Sequence, residues 1–366
     1  MRVPFNDLAA HHAALQPQLA DEIARVIAES AFVRSPDVTA FESAFAKAVG
    51  SPRCVSCANG TDALYIAMKG LGVKPGDEVI TTAHSWISTS ETITQAGAKV
   101  VFADTDPDSF TLNPREAEAK ITPRTVGIIP VHLYGHPAAM DELMAIAEKH
   151  NLWVIEDCAQ AHLARSNGRT VGTFGRAATF SFYPGKNLGA IGDAGGLVTE
   201  DARLADWAEL YARHGGKGNH QIEGINSRLD GLQAAVLNLK LPHLPRWTAL
   251  RQARAAEYDD LLRGVGDIVT PPVQAGAEHV YHLYVIRTER RDALRKHLAE
   301  RQIDTVLNYP KALPFYAAYD YLGHRPEEFP VAYRHQDTIL SLPIYPEMRS
   351  EQTAYVADSI REFFAN

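Results

Sequence analysis

Short runs of β-branched and other apolar residues alternate with longer, helix-like segments between residues 50 and 160. Five of these runs are predicted to be strands: residues 55–58, 78–82, 99–103, 126–131 and 153–157. Segments with a helical spacing of apolar residues, such as residues 141–150, lie between them. Such alternation predicts an α/β fold in which a mostly parallel sheet is covered by helices on both faces.

The N-terminal segment shows a helical rather than a strand-like pattern. In residues 1–50 the apolar side chains spaced to share one helix face are Leu15, Leu19, Ile23, Val26 and Ile27. A second helical pattern follows Asn226. Pro242 and Pro245 interrupt it, because proline ends or kinks a helix, and it resumes to about residue 262.

The rest of the chain mixes both kinds of element. A strand is predicted over residues 282–287, a helix over residues 291–301, and a closing helix from Ser350 onward. This change of pattern indicates a domain boundary near residue 241. We therefore expect a large domain over residues 1–240 and a smaller α+β domain over residues 241–366.

Length and composition suit a globular protein of about two domains. The chain has 366 residues, of which 46% are hydrophobic and 22% are charged. A formal net charge of −8 and a pI near 6.0 disfavour a nucleic-acid partner, since a phosphate backbone is bound by a concentrated basic surface. The sequence shows neither a signal-peptide pattern nor an apolar stretch of membrane-spanning length. We expect a soluble, cytoplasmic protein with no membrane partner.

The cysteines and histidines do not indicate a metal site. The chain has three cysteines, an odd number that argues against a disulfide framework. Cys54 and Cys57 have the spacing of a zinc or redox pair, but they fall in a predicted strand, where residues three apart point to opposite faces. The histidines are scattered without the spacing of metal ligands. We therefore predict no metal.

Residues 179–196 hold the main candidate for chemistry. The stretch begins as a predicted strand over residues 179–183, and a Pro-Gly pair stops this strand just before Lys186. Several glycines follow, and glycine lets a ligand approach the backbone closely. Ligands of open α/β sheets bind at the carboxyl ends of the strands. Lys186 is therefore either an imine-forming lysine or an ordinary surface lysine in a glycine-rich loop.

Two other segments favour the chemical interpretation. Asp157 ends a predicted strand, so its carboxylate lies at the same edge of the sheet, where it could pair with a protonated ring nitrogen. Gly60 and Thr61 follow another predicted strand and begin an apolar helix, and a helix N-terminus attracts phosphate. A lysine, an aspartate and a phosphate cradle are what pyridoxal 5′-phosphate requires.

Four longer motifs resemble the DegT/DnrJ/EryC1/StrS family of sugar aminotransferases. They are P-F-N-D-L near Pro4, S-F-Y-P-G-K-N-L-G-A around Lys186, N-S-R-L-D-G-L-Q-A-A from Asn226 to Ala235, and L-S-L-P-I-Y-P-E-M ending at Met348. The resemblance covers nearly the whole chain. It implies a fold-type I pyridoxal-phosphate transferase, with a mostly parallel seven-stranded sheet sandwiched by helices in the large domain and a smaller C-terminal α+β domain. It also implies a homodimer with shared active sites.

The resemblance implies a role for each candidate residue. Lys186 would hold the cofactor aldehyde as a Schiff base, and Asp157 would keep the pyridine nitrogen protonated. Gln160 matches the position that hydrogen-bonds the phenolic oxygen, and Trp86 matches the aromatic residue that stacks on the ring. The phosphate would be held by Gly60, Thr61, Ser181 and, from the partner subunit, Asn226. Without the resemblance, Asp157 would be a buried capping residue, Gln160 an ordinary surface amide and Trp86 a core aromatic.

The substrate contacts implied by the resemblance lie near residue 308. The segment V-L-N-Y-P-K-A-L-P-F at residues 306–315 corresponds to a family stretch near the nucleotide sugar. This makes Asn308 and Tyr309 the substrate candidates. Asn308 stands where the family often has histidine.

The implied function is amination of a nucleotide-linked keto-deoxysugar, such as a dTDP-linked 3-keto- or 4-keto-6-deoxyhexose, with L-glutamate as the amino donor. The product would enter surface-polysaccharide (O-antigen) or secondary-metabolite assembly. One alternative is a pyridoxal-phosphate sugar dehydratase, in which histidine replaces the Schiff-base lysine. Another is a non-catalytic, cofactor-binding regulator, which would be expected to lack Lys186 or Asp157. Because both residues are present, the aminotransferase is favoured.

Overall fold

A seven-stranded sheet forms the centre of the N-terminal part of the chain. The computed structural model describes residues 1–216 and 218–365. In chain order its strands are β1 (Arg53–Cys57), β2 (Glu78–Thr82), β3 (Lys99–Ala103), β4 (Thr125–Ile129), β5 (Trp153–Asp157), β6 (Arg165–Ser166), β7 (Arg169–Thr170), β8 (Ala177–Ser181), β9 (Gly195–Thr199), β10 (Ala277–Glu278), β11 (Tyr284–Arg287) and β12 (Ile339–Leu342). The sheet order is β1-β9-β8-β5-β4-β2-β3. Strand β9 is antiparallel to both neighbours, and the other adjacent pairs are parallel, which confirms the predicted mostly parallel sheet.

Helices cover both faces of this sheet. In chain order they are α1 (Leu8–Ala13), α2 (Gln18–Ala28), α3 (Pro36–Val49), α4 (Gly60–Gly70), α5 (Ser88–Gln95), α6 (Pro114–Ala119), α7 (Met140–His150), α8 (Ala202–Tyr211), α9 (Gly231–Lys240), α10 (Leu244–Leu261), α11 (Arg291–Glu300), α12 (Pro330–Thr338) and α13 (Ser350–Ala365). Alternate side chains of β8 pack against the helices on opposite faces of the sheet. Ala178 and Phe180 pack in the layer of α3 and α9, whereas Ala177 packs in the layer of α4 and α5.

Strands β2, β3 and β5 begin and end where the sequence predicts. Strand β8 differs, since it ends at Ser181 rather than at residue 183. The reason is a turn, in which the Tyr183 carbonyl accepts a hydrogen bond from the Lys186 amide at 2.9 Å. Lys186 therefore lies on this turn rather than directly at the end of the strand.

The N-terminal helix and the proline break follow the predicted pattern, with one exception. Leu19 and Val26 of α2 are buried, but Ile27 is 59% exposed in this single chain. A 3-10 turn at Leu241–His243 separates α9 from α10, in keeping with the two prolines nearby. This break lets α9 pack on the sheet while α10 leads into the C-terminal part.

The C-terminal part has its own core around β11 and β12, which pair antiparallel. Ala255 and Tyr258 of α10 pack in this core with Val356 of α13. Leu244, at the start of α10, packs instead with the cluster on the large sheet. The change from one core to the other therefore falls within α10, and the boundary near residue 241 stays a prediction.

The cysteines lie in β1 and directly after β5. Cys54, Cys57 and Cys158 are all buried free thiols. Cys54 packs with the α3 layer and Cys57 with the α4 layer, so the two side chains do point to opposite faces of the sheet. Burial raises the pKa of each thiol, which makes them poor nucleophiles.

Helix length and apolarity bear on the membrane prediction. Within residues 1–216 and 218–365, no helix combines the length and the apolar character that crossing a bilayer requires.

Candidate active site

A cavity of about 890 Å³ opens where β5 and β8 end and α4 begins. Its position follows from the topology, because the carboxyl ends of the parallel strands meet at this edge of the sheet. The predicted site residues that line it are Gly60, Thr61, Trp86, Asp157, Gln160, Ser181, Lys186, Asn308 and Tyr309. The fold thus gathers segments that are far apart in sequence around one space.

Lys186 lies on the tight turn that follows β8. A side chain at Gly189 would place its Cβ 2.3 Å from the Pro184 carbonyl oxygen, so only glycine lets the chain fold back on itself here. Lys240 of α9 donates a hydrogen bond to the Gly189 carbonyl at 2.8 Å and so holds the loop against α9. Burial lowers the pKa of Lys186 to about 8, against an opposing effect of Asp157. A fraction of the amine is therefore neutral near pH 7, as a nucleophile requires.

Asp157 ends β5 and is buried at the floor of the cavity. Its Oδ2 accepts a hydrogen bond from the Thr89 hydroxyl at 2.8 Å, and its Oδ1 accepts one from the Ala159 amide at 3.1 Å. Burial raises the pKa of Asp157, while these two hydrogen bonds and the charge of Lys186 oppose that rise. Each carboxylate oxygen keeps a further lone pair for another donor.

Gln160 has its amide orientation fixed by two partners. Its Oε1 accepts a hydrogen bond from the Tyr134 backbone amide at 2.6 Å, so Nε2 is the donor and reaches the Tyr309 hydroxyl at 2.8 Å. The rings of Tyr309 and Trp86 lie 5.6 Å apart between centroids. Trp86 is 57% exposed, so its ring is an open wall of the cavity rather than a core residue.

The N-terminus of α4 forms a cradle for an anion. Asn59 caps the helix by accepting a hydrogen bond from the Asp62 amide at 2.8 Å, and the first intrahelical bond starts at Ala63. The amides of Gly60 and Thr61 precede both of these bonds and remain available. A Cβ at Gly60 would lie 2.7 Å from the Ser181 Cβ, so the residue must be glycine for β8 to approach the helix.

Comparison with known proteins identifies the family. A model described as the DegT/DnrJ/EryC1/StrS aminotransferase family matches residues 14–361. The chain belongs to this family. Its members depend on pyridoxal 5′-phosphate, so this aminotransferase is an enzyme that uses that cofactor.

Relatives match the aminotransferase over its full length. It is 43% identical to the dTDP-3-amino-3,4,6-trideoxy-alpha-D-glucose transaminase of Streptomyces venezuelae, over 99% of this chain and 96% of the relative. It is 44% identical to a protein of Geobacillus stearothermophilus named a pleiotropic regulatory protein, over 100% of this chain and 99% of the relative. The X-ray structure of S. venezuelae DesV with a ketimine intermediate superposes with a TM-score of 0.98 at 42% identity, covering 100% of this chain and 99% of that one. The family's sugar aminotransferases share this fold, which confirms the expected fold-type I architecture.

The residues of this aminotransferase fit pyridoxal phosphate. The cradle at Gly60 and Thr61 suits a phosphate, because helix N-termini bind anions through free amides. Asp157 offers a buried carboxylate that can hold a protonated ring nitrogen. Lys186 faces the same cavity with a lowered pKa, as a lysine that condenses with an aldehyde should.

Asn226 does not join the other predicted residues. Its side chain is exposed, and it does not line the cavity of its own chain. Its neighbour Ser227 lies behind the cradle, where its hydroxyl donates to Asp62 at 2.6 Å and accepts from the Ala58 amide at 3.1 Å. The predicted contact of Asn226 with the phosphate of the partner subunit's cofactor stays a prediction.

Sequence reasoning missed several residues that line the cavity or hold a residue that lines it. Thr89 and Tyr134 hold Asp157 and Gln160 through single hydrogen bonds, and neither belongs to a motif with a recognisable spacing. Arg251 of α10 also lines the cavity, although it is far from Lys186 along the chain. No spacing in the sequence indicated Arg251, because its place in the site depends on contacts with the carbonyls of residues 281 and 344.

A buried cluster at the end of β5 contains side chains of the types that bind metals, but its hydrogen bonds give it a structural role. His132, Glu156 and Cys158 bring their ligand atoms within 4.8 Å of one another. Glu156 accepts hydrogen bonds from the amides of residues 172, 174 and 175 at 2.7, 2.7 and 2.9 Å, and His132 Nε2 lies 3.1 Å from it. These bonds occupy the carboxylate and hold the loop after β7 against the sheet.

Proposed function

We propose that the enzyme converts the C3 keto group of a dTDP-linked 6-deoxyhexose to an amine, with L-glutamate as the donor. The observation that carries this proposal is the convergence of Lys186 and Asp157 in one cavity with a phosphate cradle. The choice of nucleotide and carbon is supported by the 43% identical transaminase, whose name specifies a dTDP-linked 3-amino sugar. The choice of donor rests on the family resemblance.

We assign the following roles within the site. Pyridoxal phosphate supplies the electron sink for the carbanion when it is bound. Lys186 Nζ would hold the cofactor aldehyde and, when free, would be the group that accepts and returns a proton at the reacting carbon. Asp157 would hold the ring nitrogen in its protonated form, because its buried carboxylate can accept a charge-assisted hydrogen bond.

The remaining residues position the ligands in this proposal. Gln160 Nε2 has a second hydrogen to donate to the phenolic oxygen of the cofactor, because only one is used by Tyr309. The Tyr309 oxygen accepts that bond, which leaves its own O–H free to donate to the sugar. Asn308 lies beside it with its carbonyl accepting from the Tyr134 hydroxyl, and its Oδ1 accepting from the Ser341 hydroxyl at 2.9 Å.

We further propose that the enzyme works as a homodimer with shared sites. Asn226 is exposed and directly precedes Ser227, whose hydroxyl bonds Asp62 of α4, so its side chain is accessible to a second chain. The apolar side chains of Ile27, Phe32 and Val33 are also exposed on the single chain, as expected for a surface that another subunit covers.

A panel of substrates tests the proposed function. The enzyme is incubated with glutamate and with 3-keto and 4-keto sugars linked to dTDP or UDP, and the aminated carbon is identified by NMR. We expect amination at C3 of a dTDP-linked 6-deoxyhexose. Amination of the 4-keto sugars alone, or of the UDP-linked sugars alone, would contradict the proposed substrate, and loss of water without nitrogen transfer would indicate the dehydratase reaction.

A further inference from the structure

Arg251 presents a rigid, buried guanidinium to the cavity that contains Lys186. The residue is 4% exposed and belongs to α10 of the C-terminal part. Its Nη1 donates hydrogen bonds to the carbonyls of Ile344, Tyr281 and His282 at 2.8, 3.3 and 3.5 Å. Because these carbonyls come from two different segments, they fix the plane of the guanidinium.

The opposite edge of the guanidinium is unused. Nε is buried without a hydrogen-bond partner. Nη2 likewise makes no hydrogen bond to any residue that the structure describes, since all those of Arg251 start from Nη1. Nε and Nη2 together form the edge that binds a carboxylate through two parallel hydrogen bonds. Arg251 is therefore held on one side, and the edge suited to a planar anion has no hydrogen-bond partner among the described residues.

The charge of Arg251 also lacks a direct partner. Burial lowers the pKa of Arg251 to about 10, and Glu347 provides the opposing effect. Glu347 uses its Oε1 for His11 at 2.8 Å, and within the described ranges no carboxylate oxygen forms an ion pair with Arg251. His282, which lies near both Lys186 and Arg251, has its pKa lowered by burial and by these two cations. A buried cation without a direct ion-pair partner favours an anionic ligand, because burying an unpaired charge is costly.

We propose that the Nε and Nη2 edge of Arg251 binds a carboxylate of the amino-acid donor. This inference rests on the proposed function, in which glutamate brings two carboxylates into the cavity. The nucleotide diphosphate is the other anion of the reaction. It fits this edge less well, because the edge is buried and planar, whereas a bulky nucleotide needs the open mouth of the cavity.

Glutarate is the probe for this proposal, since it carries both carboxylates of glutamate but no amine. Its Kd for the cofactor-loaded enzyme is measured by calorimetry for wild type and for Arg251→Gln. We expect the Kd of glutarate to rise at least about tenfold, as for loss of a hydrogen-bonded charge partner, with the Kd of dTDP changed less than about twofold. In turnover, the KM for glutamate should rise while the KM for the keto sugar stays unchanged.

Two further variants separate ligand binding from folding. Tyr258→Phe removes a hydrogen bond of 3.0 Å from the same helix to the Pro343 carbonyl, beside Ile344, and should leave glutarate binding unchanged. Arg251→Lys keeps the charge without the planar fork, so it should weaken glutarate binding less than Arg251→Gln and serves as the test if the glutamine variant does not fold.

The proposal is overturned if folded Arg251 variants bind glutarate as wild type does, or if they lose affinity for dTDP instead. Because glutarate cannot react, this outcome is independent of turnover. An enzyme that aminates keto sugars but binds glutarate without Arg251 would refute this inference alone. Failure of every keto sugar in the substrate panel would refute the proposed function alone.

Discussion

Lys186 and Asp157 change each other's protonation inside one cavity. Burial lowers the pKa of Lys186 to about 8, and the negative charge of Asp157 opposes that shift. Burial raises the pKa of Asp157, while the bonds from Ala159 and Thr89 and the charge of Lys186 oppose it. Loss of either residue should therefore alter the acid–base behaviour of the other.

Asp157→Asn should leave the fold intact and lower turnover by several orders of magnitude. The amide can keep the hydrogen bond with Thr89, but it cannot stabilise a protonated ring nitrogen. The matched control is Thr89→Val, which removes the bond to Asp157 and keeps the charge. It should lower turnover by only about tenfold, because the free energy of one hydrogen bond corresponds to about that factor in rate. Near wild-type turnover in cofactor-loaded Asp157→Asn would assign Asp157 another role.

The pKa of Lys186 predicts how fast the cofactor-free protein takes up pyridoxal phosphate at different pH values. Only the neutral amine attacks the aldehyde, so the rate should be low below the folded pKa, rise through a midpoint near 8 and level off above it. Stopped-flow absorbance measures this rate. In Asp157→Asn the midpoint should fall, because a negative charge that favours the protonated amine is gone. A midpoint near the ordinary lysine value of about 10.4 would be incompatible with a buried amine.

At the scale of elements, the phosphate cradle depends on how closely β9 approaches α4. A Cβ at Gly195 would lie 2.2 Å from the Asn59 carbonyl carbon and 2.6 Å from the Gly60 nitrogen, both of them backbone atoms. A Cβ at Gly196 would meet nothing nearer than the Val55 carbonyl oxygen at 3.3 Å. Of these two adjacent glycines, only Gly195 is required for β9 to pack against the start of α4.

Gly195→Ala should lower the free energy of unfolding by about 1–3 kcal/mol and weaken pyridoxal-phosphate binding, because the start of α4 must move. Gly196→Ala, the matched control, should change both quantities less, because its Cβ would come no nearer than 3.3 Å to another atom. Urea unfolding gives the first quantity, and titration of the cofactor-free protein gives the second. Equal effects of the two substitutions would show that the cradle does not depend on this contact.

The elements were predictable from sequence where the local pattern alone decides them. Strands β2, β3 and β5 are short apolar runs between turns, and their bounds match the prediction. The end of β8 did not match, because it depends on a turn closed by the Lys186 amide. Thr89 and Arg251 were missed for a related reason. Each enters the site through contacts between distant elements, which no spacing in the sequence records.

At the scale of the whole molecule, we predict that each site is completed by a second chain, whose Asn226 binds the cofactor phosphate. A hydrogen bond to a charged phosphate contributes about 1.5–3 kcal/mol, so Asn226→Ala should weaken cofactor affinity by roughly ten- to a hundredfold. Co-expressed Lys186→Ala and Asn226→Ala chains should form mixed dimers with one doubly defective site and one intact site. Such dimers should regain up to half of wild-type activity at limiting cofactor.

The matched control for the mixed dimers pairs Lys186→Ala with Asp157→Asn. These two residues line the cavity of the same chain, so every site of that dimer is defective and no activity should return. If the Asn226 pairing is as inactive as this control, Asn226 acts within its own chain and the shared-site proposal is wrong.

Nitrogen transfer from glutamate to a nucleotide sugar through Lys186 is the most direct test of the whole account. The enzyme is given glutamate labelled with nitrogen-15 and a dTDP-linked 3-keto-6-deoxyhexose, and the sugar nucleotide is analysed by mass spectrometry. Wild type should place one labelled nitrogen on the sugar. Lys186→Ala and Lys186→Arg should place none, because neither side chain can form the imine and carry the proton. Labelled amino sugar from either variant at more than a small fraction of the wild-type rate would contradict the central role of Lys186.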